Sequence, residues 1–313
     1  MRIEYHRTLI ADKPRNEALF AALARAIVKG RSVVADIGAG SGLLGVMASK
    51  LGAKDVHLYE ASEEVAAVAA RIIKQNRARN CHLYPCRSTD MIDAPQADIV
   101  ISETLGNYAL EENILETLAD ALARMLKLGG TVIPCRIEQF ACPVISPRLA
   151  DEMNAWRDVG HGLDLEPART MSINNVYVRA IEVAELLDDG HAACRWDDID
   201  LTRPQKGTRK GEMTWTLKRD TTIFGFAYWW TAGLGGSLEI STAPGAPRTH
   251  WEQLYFPLDK PVAAKAGESV LLSLRSHSSE ATGTHLAWTA VHRDAAEKTL
   301  ARQAMDLDKG WIS

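Results

Sequence analysis

The sequence has few cysteines, no long apolar run and no surplus of positive charge. Its five cysteines form no C-x-x-C pair, so neither a zinc site nor a disulfide framework is indicated, and we expect reduced thiols in the core. No segment reaches the apolar length of a membrane span, and the charged N-terminus lacks the apolar centre of a signal peptide. We therefore expect a cytoplasmic protein with no membrane partner.

The charge balance argues against nucleic acid as a partner. The chain has 36 Lys and Arg against 40 Asp and Glu, which gives a formal net charge of -4. Nucleic-acid binding would favour clustered positive charge rather than this even mixture. With 313 residues, 46% of them hydrophobic, the chain is long enough for two domains that each bury a core.

The first part of the chain alternates predicted strands and helices. The strands are predicted at 32–37, 55–60, 81–86 and 97–101 and in T-V-I-P after Gly129 and Gly130, and the helices at 43–52, 62–76 and 113–127. Strands separated by helices of this length indicate a parallel, doubly wound α/β sheet.

The second part has a different composition. All eight tryptophans lie at or after Trp156, and from about residue 212 short β-rich runs are separated by Gly, Pro and Ser. This pattern predicts a sheet or barrel domain, with a boundary near Pro134. The segment from about 148 to 190 is helix-like and fits neither pattern, so it is an insertion or an oligomerisation arm.

A glycine turn, D-I-G-A-G-S-G, joins the first predicted strand to its helix. Small residues there let a ligand approach the backbone, and the helix N-terminus favours negative charge. The turn alone also fits a dinucleotide site or a purely structural turn. Glu60, which closes the second strand, favours a ribose ligand over a solvated strand end. Asp36 before the turn favours S-adenosylmethionine, whose amino group requires an anion.

An acidic loop, S-E-T-L-G-N-Y-A-L-E-E-N, follows the strand at 97–101 and holds Glu103, Glu111 and Glu112. Two close carboxylates repel each other unless a cation lies between them. A guanidinium is a planar cation that matches bidentate carboxylates and stays charged. The simpler alternative is that all three glutamates cap the following helix.

Three separated regions resemble the protein arginine methyltransferase family of class I S-adenosylmethionine-dependent enzymes. They are the cofactor motifs from V-V-A-D-I-G-A-G-S-G through the acidic loop, the segment P-R-T-H-W-E-Q at 247–253, and H-R-T-L-I-A-D-K-P-R at 6–15. The resemblance implies a Rossmann-like, seven-stranded methyltransferase domain with an N-terminal helix at 1–134. It further implies a β-barrel substrate domain at 135–313, with a helical dimerisation arm at about 150–180 and a homodimer.

The resemblance also implies roles for individual residues. Glu103 and Glu112 would clamp the guanidinium, and His250, paired with Asp12, would accept the released proton. The residues expected around the cofactor are His6, Arg15, Asp36, Gly38, Ala39, Gly40, Gly42, Glu60, Ala61, Ser88, Thr89 and Glu103. Arg15 would meet the cofactor carboxylate, and Ser88 and Thr89 would lie beside the adenine. No metal is expected.

Several alternatives remain open. The spacing of nine residues selects Glu112 as the second clamp residue, with Glu111 as its solvated neighbour. Leu9 and Ile114 stand where the family has methionines, which leaves the acceptor and the degree of methylation undetermined. The acceptor is arginine in a protein or peptide, or a small guanidino or amino compound. A catalytically weak dimeric scaffold is a third reading, and a dehydrogenase is disfavoured by Asp36.

Overall fold

The structure is a computed structural model that describes residues 3–312. Two helices, α1 (Ile3–Ala11) and α2 (Lys13–Ala26), precede the first strand. Pro14 lies in the first turn of α2, where its missing N–H has no consequence for the helix. Leu19 and Leu23 of α2 are buried in the hydrophobic core.

The first sheet is parallel, with strand order β3-β2-β1-β4-β5. Its strands and the connecting helices are β1 (Val33–Ile37), α3 (Leu43–Lys50), β2 (Asp55–Tyr59), α4 (Glu63–Gln75), β3 (Cys81–Tyr84), β4 (Ala97–Ile101), α5 (Ile114–Arg124) and β5 (Leu126–Ile133). Apart from Asp36 and Asp98, β1 and β4 at the centre consist of small and β-branched apolar residues, and four of the five residues in each strand are buried. The predicted doubly wound α/β architecture is confirmed.

Two details of the predicted sheet are wrong. The described parallel sheet has five strands rather than seven, because the next strand pairs antiparallel with later strands instead. The helix predicted at 113–127 ends at Arg124, since the Met125 carbonyl accepts the Ala97 N–H and Leu126 pairs with Ala97 in the sheet.

The rest of the chain forms two antiparallel sheets. Their elements are β6 (Arg136–Val144), α6 (Arg148–Asn154), α7 (Glu166–Ile173), β7 (Tyr177–Arg179), β8 (Cys194–Asp200), β9 (Thr208–Thr216), β10 (Thr221–Gly235), β11 (Leu238–Ser241), β12 (Gln253–Ala264), β13 (Ser269–Ser279), β14 (Gly283–Arg293), β15 (Thr299–Asp306) and β16 (Gly310–Ile312). One sheet has the order β7-β12-β10-β6-β8, with β11 on β10, and the other has the order β16-β15-β14-β13-β9.

Aromatic side chains fill the space between these two sheets. Trp215 of β9 stacks on Phe226 of β10 with ring centroids 5.7 Å apart, and Phe256 of β12 meets Trp288 of β14 edge-on at 4.9 Å. Within residues 3–312 the strand pairings give two packed antiparallel sheets, and the barrel itself stays a prediction. The division at 134 stays a prediction, although the parallel sheet ends at Ile133 and β6 begins at Arg136.

The segment predicted as an arm contains α6 and α7. Arg169 of α7 is buried and donates to the Asp259 carboxylate at 2.7 Å and to the Asp259 carbonyl at 2.9 Å, which ties the helix to β12. Large apolar side chains remain exposed on the segment, namely Trp156, Val159, Leu163 and Met171.

All five cysteines are free: Cys142 is fully buried in the core, Cys81, Cys86 and Cys194 are partly buried and pack against it, and Cys135 is partly buried. No helix of the described chain has both the length and the apolar character of a membrane span.

Candidate active site

The sheet order brings three segments of the predicted site to one edge. β1 lies between β2 and β4, and all three are parallel, so the residues that follow them emerge side by side. Gly38 follows β1, Glu60 follows β2 and Glu103 lies two residues after β4. Ligands bind at this carboxyl edge in open α/β sheets.

The glycine turn has a backbone that side chains would disturb. Gly38, Gly40 and Gly42 all have positive φ, at 70°, 55° and 82°. A Cβ at Gly38 would lie 2.8 Å from Thr104 Cγ2, and one at Gly40 would lie 2.6 Å from His6 Cε1. The turn is therefore packed closely between the acidic loop and α1.

Glu60 folds back onto this turn. Its Oε2 accepts the Gly40 N–H at 2.8 Å, and its Oε1 accepts the Ser62 N–H at 2.8 Å. Glu60, the residue predicted to bind ribose, therefore contacts the glycine turn directly and lies just before α4.

The larger of two cavities at this edge measures about 210 Å³. Seven of the predicted residues or their neighbours line it together: Gly38, Glu60, Ala61, Ser88, Thr89, Thr104 and Glu112. It is also lined by Arg87 and Glu280, which form an ion pair between the parallel-sheet half and the turn after β13. Sequence reasoning missed this pair, because no local pattern links residues so far apart in the chain.

The smaller cavity measures about 50 Å³ and lies on the other side of Gly38. It is lined by His6, Leu9, Arg15, Gly38, Ala39, Gly40 and Glu103, among others. Burial is the main reason that the pKa of His6 is lowered, so this imidazole is neutral near pH 7.

Arg15 and Glu103 form a buried ion pair, in which Arg15 Nη2 donates to Glu103 Oε2. Their side chains are only 5% and 6% exposed. Burial raises the pKa of Glu103 to about 7, against the opposing effect of Arg15, and the charge of Glu112 raises it further. Arg15 Nε is buried and has no hydrogen-bond partner among the described residues. Sequence reasoning expected Arg15 near the cofactor carboxylate and missed its contact with Glu103.

The two adjacent glutamates at the end of the acidic loop differ in position. Glu111 folds over Gly106, where a Cβ would lie 2.1 Å from Glu111 Oε2, and it accepts backbone hydrogen bonds from Asn107 and Tyr108. Glu112 instead lines the larger cavity. Burial is the first cause of the raised pKa of both carboxyls. Of the two, Glu112 is the one that borders a cavity.

Asp12 joins the N-terminal helices to the Thr249–Trp251 segment. Its Oδ1 accepts the Arg15 N–H at 3.0 Å as the N-cap of α2, and its Oδ2 accepts both the His250 N–H and His250 Nδ1 at 2.7 Å. Burial lowers the pKa of His250, although the Asp12 hydrogen bond opposes this. The imidazole is therefore neutral at pH 7 and can accept a proton at Nε2.

Asp36 does not line either cavity. It is 1% exposed, accepts a backbone hydrogen bond from Gly45 of α3, and its Oδ2 has no partner in the described structure. Burial raises its pKa to about 7. Ser88 is buried and Thr89 exposed in the turn after β3, and both border the larger cavity. Gly42 begins α3 as its N-cap.

Two family models match the chain. The model described as the arginine methyltransferase oligomerization subdomain matches residues 138–290, and the model for ribosomal protein L11 methyltransferase matches residues 18–138. The two matches divide the chain close to the point where the parallel sheet ends.

Two relatives named as arginine methyltransferases match most of the chain. The chain is 26% identical to protein arginine N-methyltransferase 6 of Xenopus tropicalis over 296 residues, which is 91% of this chain and 86% of that protein. It is 27% identical to arginine N(omega)-methyltransferase of Streptomyces achromogenes subsp. streptozoticus over 277 residues, which is 86% of this chain and 75% of that protein.

Solved structures share the fold. The Trypanosoma brucei PRMT1 enzyme-prozyme heterotetrameric complex with AdoHcy matches with a TM-score of 0.86 and 21% identity, covering 97% of this chain and 98% of that one. Protein arginine methyltransferase 10 of Arabidopsis thaliana, in an open conformation, matches with a TM-score of 0.80 and 18% identity over 97% of both chains. The family-model matches and the relatives support one family, the protein arginine methyltransferases, and the solved structures show that the chain has the fold of these enzymes.

Proposed function

We propose that the protein transfers a methyl group from S-adenosylmethionine to a guanidinium nitrogen of arginine. The single observation that carries the proposal is the meeting of two cavities at Gly38, with Glu112 in the wall of one and Glu103 in the wall of the other. The family-model match and the arginine methyltransferases among the relatives support the same activity.

The residues present fit the cofactor. The unpartnered, buried Arg15 Nε is a free donor in the smaller cavity, suited to the cofactor carboxylate. Glu60, Ala61, Ser88 and Thr89 border the larger cavity, where Glu60 would accept hydrogen bonds from ribose hydroxyls and the other three would lie along the adenosine. Bound there, S-adenosylmethionine supplies an activated methyl group.

Glu103 and Glu112 would hold the acceptor. A guanidinium between them neutralises the repulsion that contributes to the raised pKa of Glu103, so the bound cation keeps both carboxylates ionised. The carboxylates draw positive charge toward the nitrogens that they bind and orient the remaining nitrogen. Glu103 can take this role once Arg15 turns toward the cofactor carboxylate.

The released proton requires an acceptor. His250 is neutral near pH 7 and is oriented by Asp12, so we assign it this task. It lines neither cavity, so the proton would reach it through a relay.

The acceptor is arginine in a protein or peptide, or a small guanidino compound. The relatives named protein arginine N-methyltransferase 6 and arginine N(omega)-methyltransferase are 26% and 27% identical to the chain, so neither similarity favours one acceptor over the other. The clamp itself recognises only the guanidinium, which both acceptors share.

The assembly would be a homodimer built through the arm. Trp156, Val159, Leu163 and Met171 expose large apolar surfaces on one segment, and the match to an oligomerisation subdomain includes that segment.

The test is methyl transfer from isotopically labelled S-adenosylmethionine to free arginine, to an arginine peptide and to cell extract, followed by mass spectrometry. A matched lysine peptide is the control. We expect label on arginine nitrogen and none on the lysine peptide. Calorimetric binding of the cofactor without transfer to any acceptor would contradict the proposal and favour a scaffold.

A further inference from the structure

The acidic loop is held from outside by the antiparallel sheets. Within the described residues, four of its backbone groups bond to side chains of the second half of the chain. Trp251 Nε1 donates to the Leu105 carbonyl at 2.9 Å, and Trp230 Nε1 donates to the Gly106 carbonyl at 3.0 Å. The other two contacts are those of Tyr228 with Ala109 and of Thr284 with Leu110.

The Tyr228 hydroxyl is the central group among these contacts. It accepts the Ala109 N–H at 3.3 Å and donates to Gln139 Oε1 at 2.6 Å. All three residues are fully buried, so water cannot replace either bond. Ala109 lies three residues before Glu112, on the same loop.

The chain of hydrogen bonds continues to the other sheet. Gln139 Nε2 donates to Asp197 Oδ2 at 2.7 Å, and Arg209 Nε donates to the same oxygen at 2.7 Å. Gln139 and Asp197 lie on β6 and β8, whereas Arg209 lies on β9 of the second antiparallel sheet. The ion pair fixes the Gln139 amide, which in turn fixes the direction of the Tyr228 hydroxyl.

A second tyrosine anchors the same stretch. Tyr108 is fully buried and donates to Ser276 Oγ of β13 at 2.5 Å, and its ring lies 5.3 Å from that of Tyr228. The backbone around Ala109 is therefore fixed by both antiparallel sheets.

We propose that Tyr228 is a positioning residue: by holding the Ala109 amide it sets the place of Glu112, and Gln139 with the Asp197–Arg209 pair holds Tyr228. This inference rests on the proposed function, because Glu112 is the clamp residue that benefits. Misplacement of a bound group by about 1 Å costs on the order of a hundredfold in rate, so a displaced loop lowers turnover without touching the cofactor.

The test compares Tyr228→Phe with the matched control Tyr255→Phe. Tyr255 is also fully buried, and its hydroxyl donates to the Phe224 carbonyl at 2.7 Å, away from the acidic loop. Tyr228→Phe should lower kcat at least about tenfold and leave the cofactor Kd unchanged. Tyr255→Phe should lower the melting temperature by a similar amount but leave kcat unchanged. Equal kcat in the two variants would overturn the proposal.

Hydrogen exchange provides a readout that does not require activity. Tyr228→Phe should speed amide exchange in the peptide that covers 103–113, and Tyr255→Phe should not. Gln139→Leu, which removes the orienting acceptor, should act in the same direction if Tyr228→Phe fails to fold. Unchanged exchange in this peptide in the folded variants would overturn the inference, whereas absent methyl transfer by the wild type would overturn only the proposed function.

Discussion

At the scale of single residues, the acidic groups of the site differ more than their sequence suggests. Glu111 and Glu112 are neighbours, yet the first folds over its own loop and the second borders a cavity. The spacing from Glu103 predicts Glu112 as the clamp residue, and its place in the cavity wall supports that choice. The sequence could not show that Asp36 is buried against α3, because this burial depends on how α3 packs onto the sheet.

The buried Asp36 should cost stability at neutral and higher pH. Its pKa in the folded protein is raised from 3.8 to about 7, so the folded state retains a proton that the unfolded state has released. The free energy of unfolding therefore falls as the pH rises from about 3.8 to about 7, and the contribution of Asp36 is least favourable above pH 7. Asp36→Asn should therefore raise the free energy of unfolding at pH 8.5 by roughly 2–4 kcal/mol and change it little at pH 4.

Urea unfolding at both pH values measures this difference. Asp220→Asn is the control, because that carboxylate is exposed and paired with Lys265, which lowers its pKa. An equal effect of Asp36→Asn at pH 4 and pH 8.5 would contradict the burial argument.

At the scale of elements, the apolar strands and their helices could be predicted, whereas their ends required the structure. The predicted strand at 97–101 coincides with β4. The end of α5 was misplaced because Leu126 and Lys127 suit either a helix or a strand, and only pairing with β4 decides between them. The contact of α2 with the Thr249–Trp251 segment was expected from resemblance alone.

The Asp12 cap of α2 should contribute more to the free energy of unfolding than an ordinary helix cap does. Asp12 accepts the Arg15 N–H and also two hydrogen bonds from His250, so Asp12→Ala removes the cap and leaves buried donors unpaired. Ser62→Ala removes the cap of α4, where Ser62 accepts the Val65 N–H. We expect a loss of about 1 kcal/mol for Ser62→Ala and about 2–4 kcal/mol for Asp12→Ala in chemical denaturation. Equal losses would show that the His250 contact adds nothing.

At the scale of the whole molecule, the site is assembled from segments that are distant in the chain. Glu280 and Arg87 form an ion pair in the wall of the larger cavity. The Tyr228 hydroxyl accepts a hydrogen bond from the loop that carries Glu112. Hydrophobic periodicity reports local structure, so it could not reveal these contacts. The same limit explains why the β-rich pattern predicted a sheet or barrel without deciding between them, and why the strand pairings were needed to show two packed sheets.

The proposed dimer should depend on the exposed apolar arm. Met171 is 79% exposed on α7, and Met171→Asp would place a charge in the proposed interface. Light scattering at micromolar concentration should give a dimer for the wild type and a monomer for this variant. Leu300→Asp, at a side chain 50% exposed on β15, should remain dimeric. A monomeric wild type would refute the arm as an interface.

The central claim is that Glu103 and Glu112 hold a guanidinium, and the most direct measurement is single-turnover methyl transfer by Glu112→Gln beside Glu111→Gln, both saturated with cofactor. The two side chains are adjacent and chemically identical, but only Glu112 lines the larger cavity. We predict that Glu112→Gln slows transfer by at least about a hundredfold with cofactor affinity preserved, and that Glu111→Gln slows it far less. Wild-type transfer by Glu112→Gln would contradict the account.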